Sequence, residues 1–238
     1  MTRIDIDLDD AETLRLWTAI GELAARLPGE WTLIGGLMVQ LHAIEHGRTD
    51  VRPTIDIDIL GQARPQGTLS AIDATLAREG FELIGPDLDG YAHRYQRDGL
   101  VVDVLAPDGI KPPARLGASL KAVGVPGGSQ ALSRSETVTV TVQGRAFELR
   151  RPTLLGAVLI KARSLMVHRD PDTQREDLLH LLALIDDPRE TADELRTTER
   201  GWLRNAEQRL NPDGPSTLDA ETVRRAALTY RLLTQTVQ

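Results

Sequence analysis

The chain has 238 residues and no cysteine, so it can bury a sizeable core but can form neither disulfides nor thiolate metal sites. Its formal net charge of −7 argues against a protein that coats nucleic acid regardless of sequence. No stretch approaches the about 18 apolar residues of a membrane span, and the N-terminus lacks an apolar signal segment. We therefore expect a soluble, cytoplasmic protein.

The first predicted helix begins at Asp9 and Asp10, which are typical capping residues. Its apolar residues recur at helical spacing as far as Leu27, and Pro28 and Gly29 end it. We expect this helix to cover one face of a sheet.

A glycine pair follows the next apolar segment. Residues 32–34 indicate a short buried strand, Gly35 and Gly36 permit a tight turn, and a helical pattern begins at Leu37. Such a turn directs backbone N–H groups and a helix N-terminus at one point, which attracts phosphate. The alternative is a turn that serves only packing, so the phosphate interpretation depends on the residues downstream.

Asp56 and Asp58 lie in a run that alternates isoleucine with aspartate over residues 55–59. The alternation predicts a strand with both carboxylates on one side. Two neighbouring anions on a half-buried strand need a positive partner, and Mg²⁺, which prefers oxygen ligands, suits them. Arg52, just upstream, could neutralise a carboxylate or bind a phosphate. The alternative is an amphipathic edge strand whose aspartates face solvent.

A two-residue turn at Asp98 and Gly99 predicts a hairpin with arms over residues 91–97 and 100–105. Asp103 is the lone charge in the apolar second arm, so it lies either at a solvated edge or in a site. A third carboxylate beside an Asp-x-Asp strand is what two-metal phosphoryl transfer requires. We assign that role to Asp103 rather than Asp108, which a turn explains better.

The remaining segments are predicted as follows. Residues 68–78 form a helix, residues 81–84 a strand, and the loop-rich stretch 106–135 contains one short helix at 116–123 and is mobile over the substrate. Residues 137–142 and 145–150 form a hairpin that extends the sheet. Helices begin at Pro152 and Asp172, the second with a Thr173–Glu176 capping box, and two more cover 191–210 and 217–233.

These segments predict an α/β (α+β) fold in two parts. Residues 1–150 form a core with a mixed, twisted sheet flanked by helices, and residues 151–238 form a helical C-terminal bundle.

The residues that carry a family resemblance are Gly35, Gly36, His42 and the run Arg52-x-Thr54-x-Asp56-x-Asp58. They resemble the signature of nucleotidyltransferase-fold toxins of the AbiEii and MenT type, G-G-x-A-x-x-x-H followed by R-x-T-x-D-h-D. Met38 replaces the usual small residue, and the segment between the two halves is a few residues long. The resemblance covers residues 31–60 specifically and 101–184 loosely, and it implies a polymerase-beta-like nucleotidyltransferase core.

The resemblance also implies roles for individual residues. Asp56 and Asp58, completed by Asp103, would hold two Mg²⁺ ions, or Mn²⁺ in their place. The glycine turn would grip the triphosphate of an NTP substrate together with Arg52 and Lys161.

Further along, Lys161 matches the family's K-x-x-x-L, and Asp177 matches the first aspartate of K-D-x-x-D-L, where His180 replaces the second. We predict a catalytic role for Lys161 and Asp177, whereas His42 is expected to be a packed structural residue.

The implied activity is transfer of a nucleoside monophosphate to a tRNA 3′ end or a protein hydroxyl, by a toxin that pairs with a cognate antitoxin. Two alternatives stay open. One is transfer to a small molecule, as in aminoglycoside nucleotidyltransferases, and the other is a non-catalytic binding or antitoxin component on the same scaffold. No membrane partner is expected.

Overall fold

The computed structural model describes residues 2–7, 10–28, 30–48, 52–63, 68–117, 120–167 and 171–235. Within them the chain adopts a mixed α/β fold. The strands are β1 (Arg3–Ile6), β2 (Trp31–Ile34), β3 (Asp56–Gly61), β4 (Glu82–Leu83), β5 (Tyr91–Ala92), β6 (Arg94–Arg97), β7 (Leu100–Pro107), β8 (Arg115–Leu116), β9 (Leu120–Ala122), β10 (Gly124–Val125), β11 (Ser135–Val142) and β12 (Arg145–Pro152). The helices are α1 (Ala11–Ala24), α2 (Gly35–Glu45), α3 (Thr68–Arg78), α4 (Gly128–Ser133), α5 (Leu154–Leu165), α6 (Pro171–Leu184), α7 (Pro188–Asp193), α8 (Thr197–Leu210) and α9 (Ala220–Thr234).

The central sheet has the order β2-β3-β7-β6-β4, with β10 paired to the end of β7. Strands β3 and β7 run parallel, whereas β2 and β6 pair antiparallel to them. Ile57 and Ile59 of β3 are fully buried, whereas Asp56 and Asp58, which alternate with them, are half-buried. The predicted alternation of β3 is therefore confirmed.

The predicted hairpin between β6 and β7 is also confirmed. Asp98 and Gly99 both adopt positive φ angles, of 49° and 78°, as a two-residue turn of this kind requires. The turn fixes the register, which places Arg94 directly opposite Asp103.

The hairpin of β11 and β12 forms as predicted, but the prediction that it extends the aspartate-bearing sheet is wrong. It forms a separate three-stranded sheet in which β11 pairs in parallel with β1. Ile4 and Ile6 of β1 are buried, whereas Arg3 and Asp5, which alternate with them, are exposed. This short alternation at the N-terminus makes a strand that captures the free edge of the hairpin.

The helix predicted at residues 116–123 is absent from the described part of this segment. Strands β8 and β9 occur there instead, and β9 also pairs in parallel with β5. Leu116 and Ala122 are buried, so strand pairing with a distant segment prevails over local helix propensity. The short helix α4 follows at a position where none was predicted.

Helix boundaries are largely as predicted at the N-terminal end. Asp10 caps α1 by accepting a hydrogen bond from the Thr13 N–H at 2.7 Å, and α1 ends at Ala24 rather than Leu27. Helix α3 has the predicted bounds. Asp9 and Gly29 lie outside the described residues.

The C-terminal helices α5 to α9 pack on one another, and α5 and α6 also contact α2. Thr153 caps α5, because Pro152 is the last residue of β12. The single helix predicted at residues 191–210 is two helices, α7 and α8. In the described part of the chain, no helix is long and apolar enough to cross a membrane.

The capping box predicted for α6 is wrong. The helix begins at Pro171, so Thr173 lies within it rather than at its cap. Glu176 instead accepts hydrogen bonds from the hydroxyls of Ser216 and Thr217, at 2.6 and 2.9 Å. Its carboxylate therefore fixes the segment that leads into α9.

Candidate functional site

Three aspartates lie on one face of the central sheet. Asp56 and Asp58 come from β3, and the parallel register places Asp103 of β7 beside Asp58. Neighbouring residues in register project to the same side of a sheet, so the three carboxylates face one region. The competing candidate, Asp108, lies in a turn and accepts a hydrogen bond from the Gly127 N–H at 3.2 Å. Its carboxylate therefore has a structural partner.

Asp58 is the least satisfied of the three carboxylates. Among the described residues it has no hydrogen-bond or ion-pair partner, whereas Asp56 accepts a hydrogen bond from the Thr54 hydroxyl at 3.0 Å. Burial, with the negative charges of Asp56 and Asp103, raises the pKa of Asp58 to about 7. The face therefore carries negative charge in excess of its immediate partners.

The glycine turn lies against these aspartates. Gly35 has a φ of +71°, and a Cβ added to it would fall 1.8 Å from Oδ2 of Asp58. A Cβ on Gly36 would fall 2.6 Å from the hydroxyl oxygen of Thr54. Both glycines are thus required by the close approach of the turn to β3. Helix α2 begins at Gly35 without a side-chain cap, which directs its positive N-terminal end to the same place.

Arg94 binds the third aspartate. Its Nε and Nη2 donate to the two oxygens of Asp103 at 2.9 and 2.7 Å, and Nη2 lies 3.6 Å from Asp56. Sequence reasoning missed Arg94, although a signal existed. Counting back from the Asp98–Gly99 turn places Arg94 opposite Asp103.

A second charged group joins three distant parts of the chain at Asp177. Arg52 donates to its two oxygens at 2.8 and 2.9 Å, and Nζ of Lys161 lies 2.7 Å from Oδ2. Lys161 also donates to the Gln174 side chain at 3.2 Å. Burial alone would raise the pKa of Asp177, but the charges and hydrogen bonds of Lys161 and Arg52 lower it overall. The carboxylate is therefore a fixed anchor for two cations.

The two groups form one electrostatic unit. The positive charges of Lys161 and Arg52 lower the pKa of Asp58, partly opposing the effects of burial and of Asp56 and Asp103. The chain thus gathers the predicted site residues of the glycine turn, β3, β7, α5 and α6 around Asp58.

No protein-family model, curated protein or solved structure matches this chain. The family resemblance of the sequence motif therefore stays a prediction. Its functional meaning depends on the chemistry of the side chains.

The donor chemistry fits a hard divalent cation. Carboxylate oxygens are the ligands that Mg²⁺ prefers, and Asp58 is half-buried beside like charges without a counter-ion of its own. Within the described ranges, no group of three or more His, Asp or Glu side chains is arranged to hold a metal ion. Arg94 already occupies both oxygens of Asp103, which leaves Asp56 and Asp58 for a metal.

A cavity of about 550 Å³ lies elsewhere on the molecule. Its lining includes His46, Thr153 and Asp186 but none of the residues gathered around Asp58. Of the charged side chains in its wall, Arg134 lies 3.6 Å from Glu194, and Asp186 lies 2.8 Å from Arg225. The charged side chains of the cavity have partners of opposite charge, whereas Asp58 has none among the described residues, so the aspartates are the candidate site.

Proposed function

We propose that the protein is a metal-dependent nucleotidyltransferase, which moves a nucleoside monophosphate from an NTP to an acceptor hydroxyl and releases pyrophosphate. One observation carries the proposal. Asp58, half-buried and without a hydrogen-bond partner in the described residues, lies between Asp56 and Asp103 on adjacent parallel strands. A polymerase-beta-like core is the finer fold assignment that accompanies this function.

Asp56 and Asp58 are the residues that would hold Mg²⁺, and Asp103 would complete the set only when its pair with Arg94 opens. The bound cation would offset negative charge that develops at the α-phosphate. The acceptor oxygen forms a bond to the α-phosphorus as the bond to the β-phosphate bridging oxygen breaks, and pyrophosphate leaves with that electron pair. Asp103 takes the proton of the acceptor hydroxyl.

Cations and the α2 N-terminus would bind the triphosphate. Arg52 is about one-third exposed, so its guanidinium can contact a phosphate while Asp177 holds it in place. Lys161 is 5% exposed, and its charge acts from behind the site. Helix α2 begins at Gly35 without a side-chain cap, so the N–H groups of its first turn suit phosphate oxygens.

The biological role that we propose is that of a toxin controlled by a cognate antitoxin, with a tRNA 3′ end or a protein hydroxyl as the acceptor. The support for this role is the motif formed by the glycine pair and the Arg52-x-Thr54-x-Asp56-x-Asp58 run. Transfer to a small molecule uses the same site chemistry, so the acceptor has to be tested directly.

The experiment incubates purified protein and Mg²⁺ with each α-labelled NTP, adding total tRNA, protein extract or aminoglycosides in separate reactions. We expect label in the tRNA or protein fraction. Asp58→Asn should reduce the rate on the order of 10²–10³-fold, because the central carboxylate loses its charge. Asp5→Asn, which changes an exposed strand aspartate that pairs with Arg3, is the matched control and should retain full activity.

Four outcomes contradict the proposal or its details. Absence of label in every reaction, or equal rates for wild-type and Asp58→Asn, rejects the transferase. Label on aminoglycosides alone rejects the macromolecular acceptor. Growth inhibition that persists in cells expressing Asp58→Asn rejects transfer as the toxic activity.

A further inference from the structure

Arg94 holds the oxygens that a metal ion would need. Its guanidinium forms two charge-assisted hydrogen bonds with Asp103 and also lies near Asp56. A divalent cation bound by Asp103 would have to displace at least one of these bonds. The two positive groups therefore compete for the same carboxylate.

We propose that Arg94 exchanges partners during substrate binding, leaving Asp103 for a metal ion and binding the triphosphate that arrives with it. This inference rests on the proposed nucleotidyltransferase function. It assigns Arg94 as a specificity residue that disfavours the free metal and favours the metal–triphosphate complex.

Exposure indicates which partner moves. The Arg94 side chain is 46% exposed and can swing into solvent, whereas Asp103 is 8% exposed and fixed within β7. Arginine also binds carboxylate and phosphate with the same planar fork, so the exchange preserves its hydrogen-bonding geometry.

Charge explains the selectivity. A metal ion bound by both Asp56 and Asp103 would leave Arg94 beside a new positive charge, with neither carboxylate free to pair with it. A metal ion that carries a triphosphate supplies both the cation for Asp103 and the anion for Arg94. The charge balance of the site is then preserved when the complex binds.

The other cations of the site are not suited to this exchange. Asp177, which holds Arg52 and Lys161, is 2% exposed, and both partners bind it closely. Removing either cation would leave a buried charge partly uncompensated, which is costly. Arg94 is therefore the cation that can respond to the ligand.

The test is a calorimetric titration of the protein with Mn²⁺, with and without a nonhydrolysable NTP analogue. Arg94→Ala should bind free Mn²⁺ about tenfold more tightly than wild-type, because a competing charge-assisted pair is gone. In wild-type the analogue should strengthen Mn²⁺ binding, and in Arg94→Ala this enhancement should be largely lost. Arg231→Ala is the matched control. Arg231 also donates to both oxygens of one carboxylate, that of Asp213, and lies outside the site.

Arg94→Lys covers the case in which Arg94→Ala does not fold. It keeps the charge but loses the two-pronged contact, so it should bind free Mn²⁺ more tightly than wild-type by a smaller factor. Melting temperatures measured alongside should show that Mn²⁺ stabilises the Arg94 variants more than wild-type, since ligand binding to the folded state raises stability.

The outcomes separate this inference from the function on which it rests. If wild-type binds Mn²⁺ and the Arg94 variants bind it no more tightly than wild-type does, the exchange is overturned and the proposed transferase function is unaffected. Absence of Mn²⁺ binding by wild-type and all variants, even with the analogue, rejects both.

Discussion

The three aspartates of the site are chemically identical, but each has a different partner. Asp56 is bound by a neutral hydroxyl, that of Thr54, and Asp103 by the guanidinium of Arg94. Asp58 has no such partner among the described residues, and the pKa of Asp58 is raised to about 7. Identical side chains therefore differ in charge and in hydrogen bonding according to their surroundings.

The histidine in the sequence motif has a structural environment. His42 is 1% exposed, and its Nε2 lies 3.0 Å from the carbonyl oxygen of Pro152, to which it can donate. Burial, then the positive charge of Arg151, lowers the pKa of His42 well below 6.5. The folded protein thus keeps this imidazole neutral.

We predict that the protein becomes less stable as the pH decreases, because of His42. Below 6.5 the unfolded chain binds a proton that the folded chain does not, so the loss begins near that pH and grows as the pH decreases. At one unit below 6.5 the cost is about 1.4 kcal/mol. Denaturant unfolding between pH 7.5 and 5.5 measures it, and His42→Gln should flatten the curve. An unchanged slope in that variant would show that other groups cause the loss.

At the level of single elements, local patterns were good predictors where one strand or turn determines its own geometry. The Ile–Asp alternation predicted β3 and the common face of Asp56 and Asp58. The Asp98–Gly99 turn predicted the hairpin. Each of these signals is contained within about ten residues, so no distant contact is needed to interpret it.

Sequence reasoning failed where pairing joins distant segments. Asp103 was assigned to the site as the lone charge in its strand, but the parallel register that puts it beside Asp58 depends on how β3 and β7 meet, which no local pattern records. Strand β9 forms because it pairs with both β5 and β8, although its own residues suit a helix equally well. Arg94 was overlooked for a different reason, since an arginine near a hairpin resembles an ordinary surface cation.

The turn between β2 and α2 allows a sharp comparison of two glycines. Gly35 and Gly47 have nearly the same φ, +71° and +70°, but a Cβ would strike Asp58 at Gly35 and meet no described residue within 4 Å at Gly47. Alanine at either position pays the cost of a left-handed backbone, about 1 kcal/mol. Only alanine at Gly35 also has to displace β3.

We therefore predict that Gly35→Ala destabilises the protein by about 2 kcal/mol more than Gly47→Ala. Urea unfolding of the two variants measures the difference. Equal losses would mean that the turn can move away from Asp58 without cost, and the glycine pair would then owe its presence to something other than this close approach.

At the scale of the whole molecule, Asp177 connects the sheet region to the C-terminal helices. Arg52 precedes β3, Lys161 lies on α5, and Asp177 lies on α6. Residues 1–150 and 151–238 were predicted as separate parts, and this buried group of charges joins them. The candidate site therefore depends on both parts of the chain.

We predict that Asp177→Ala lowers the free energy of unfolding by about 3–5 kcal/mol, because Lys161 is left buried without its carboxylate. Replacing both residues, as Lys161→Met with Asp177→Leu, should recover much of that loss, since no fully buried charge is left unpaired and Arg52, which is 34% exposed, can be solvated. Chemical denaturation measures all three proteins.

The control is Arg225→Ala, which breaks an exposed pair with Asp186 and should cost less than about 1 kcal/mol. If Asp177→Ala loses no more than this control, or if the double variant is as unstable as Asp177→Ala, the buried group does not hold the two parts together.

The bond between Arg52 and Asp177 spans 125 positions of the chain. During translation the glycine turn and all three aspartates leave the ribosome well before the helix that supplies Asp177. A nascent chain can therefore pair its strands early, but Arg52 has no anchor until α6 has emerged and docked. The group of charges at Asp177 is therefore completed only after α6 has docked on the strands.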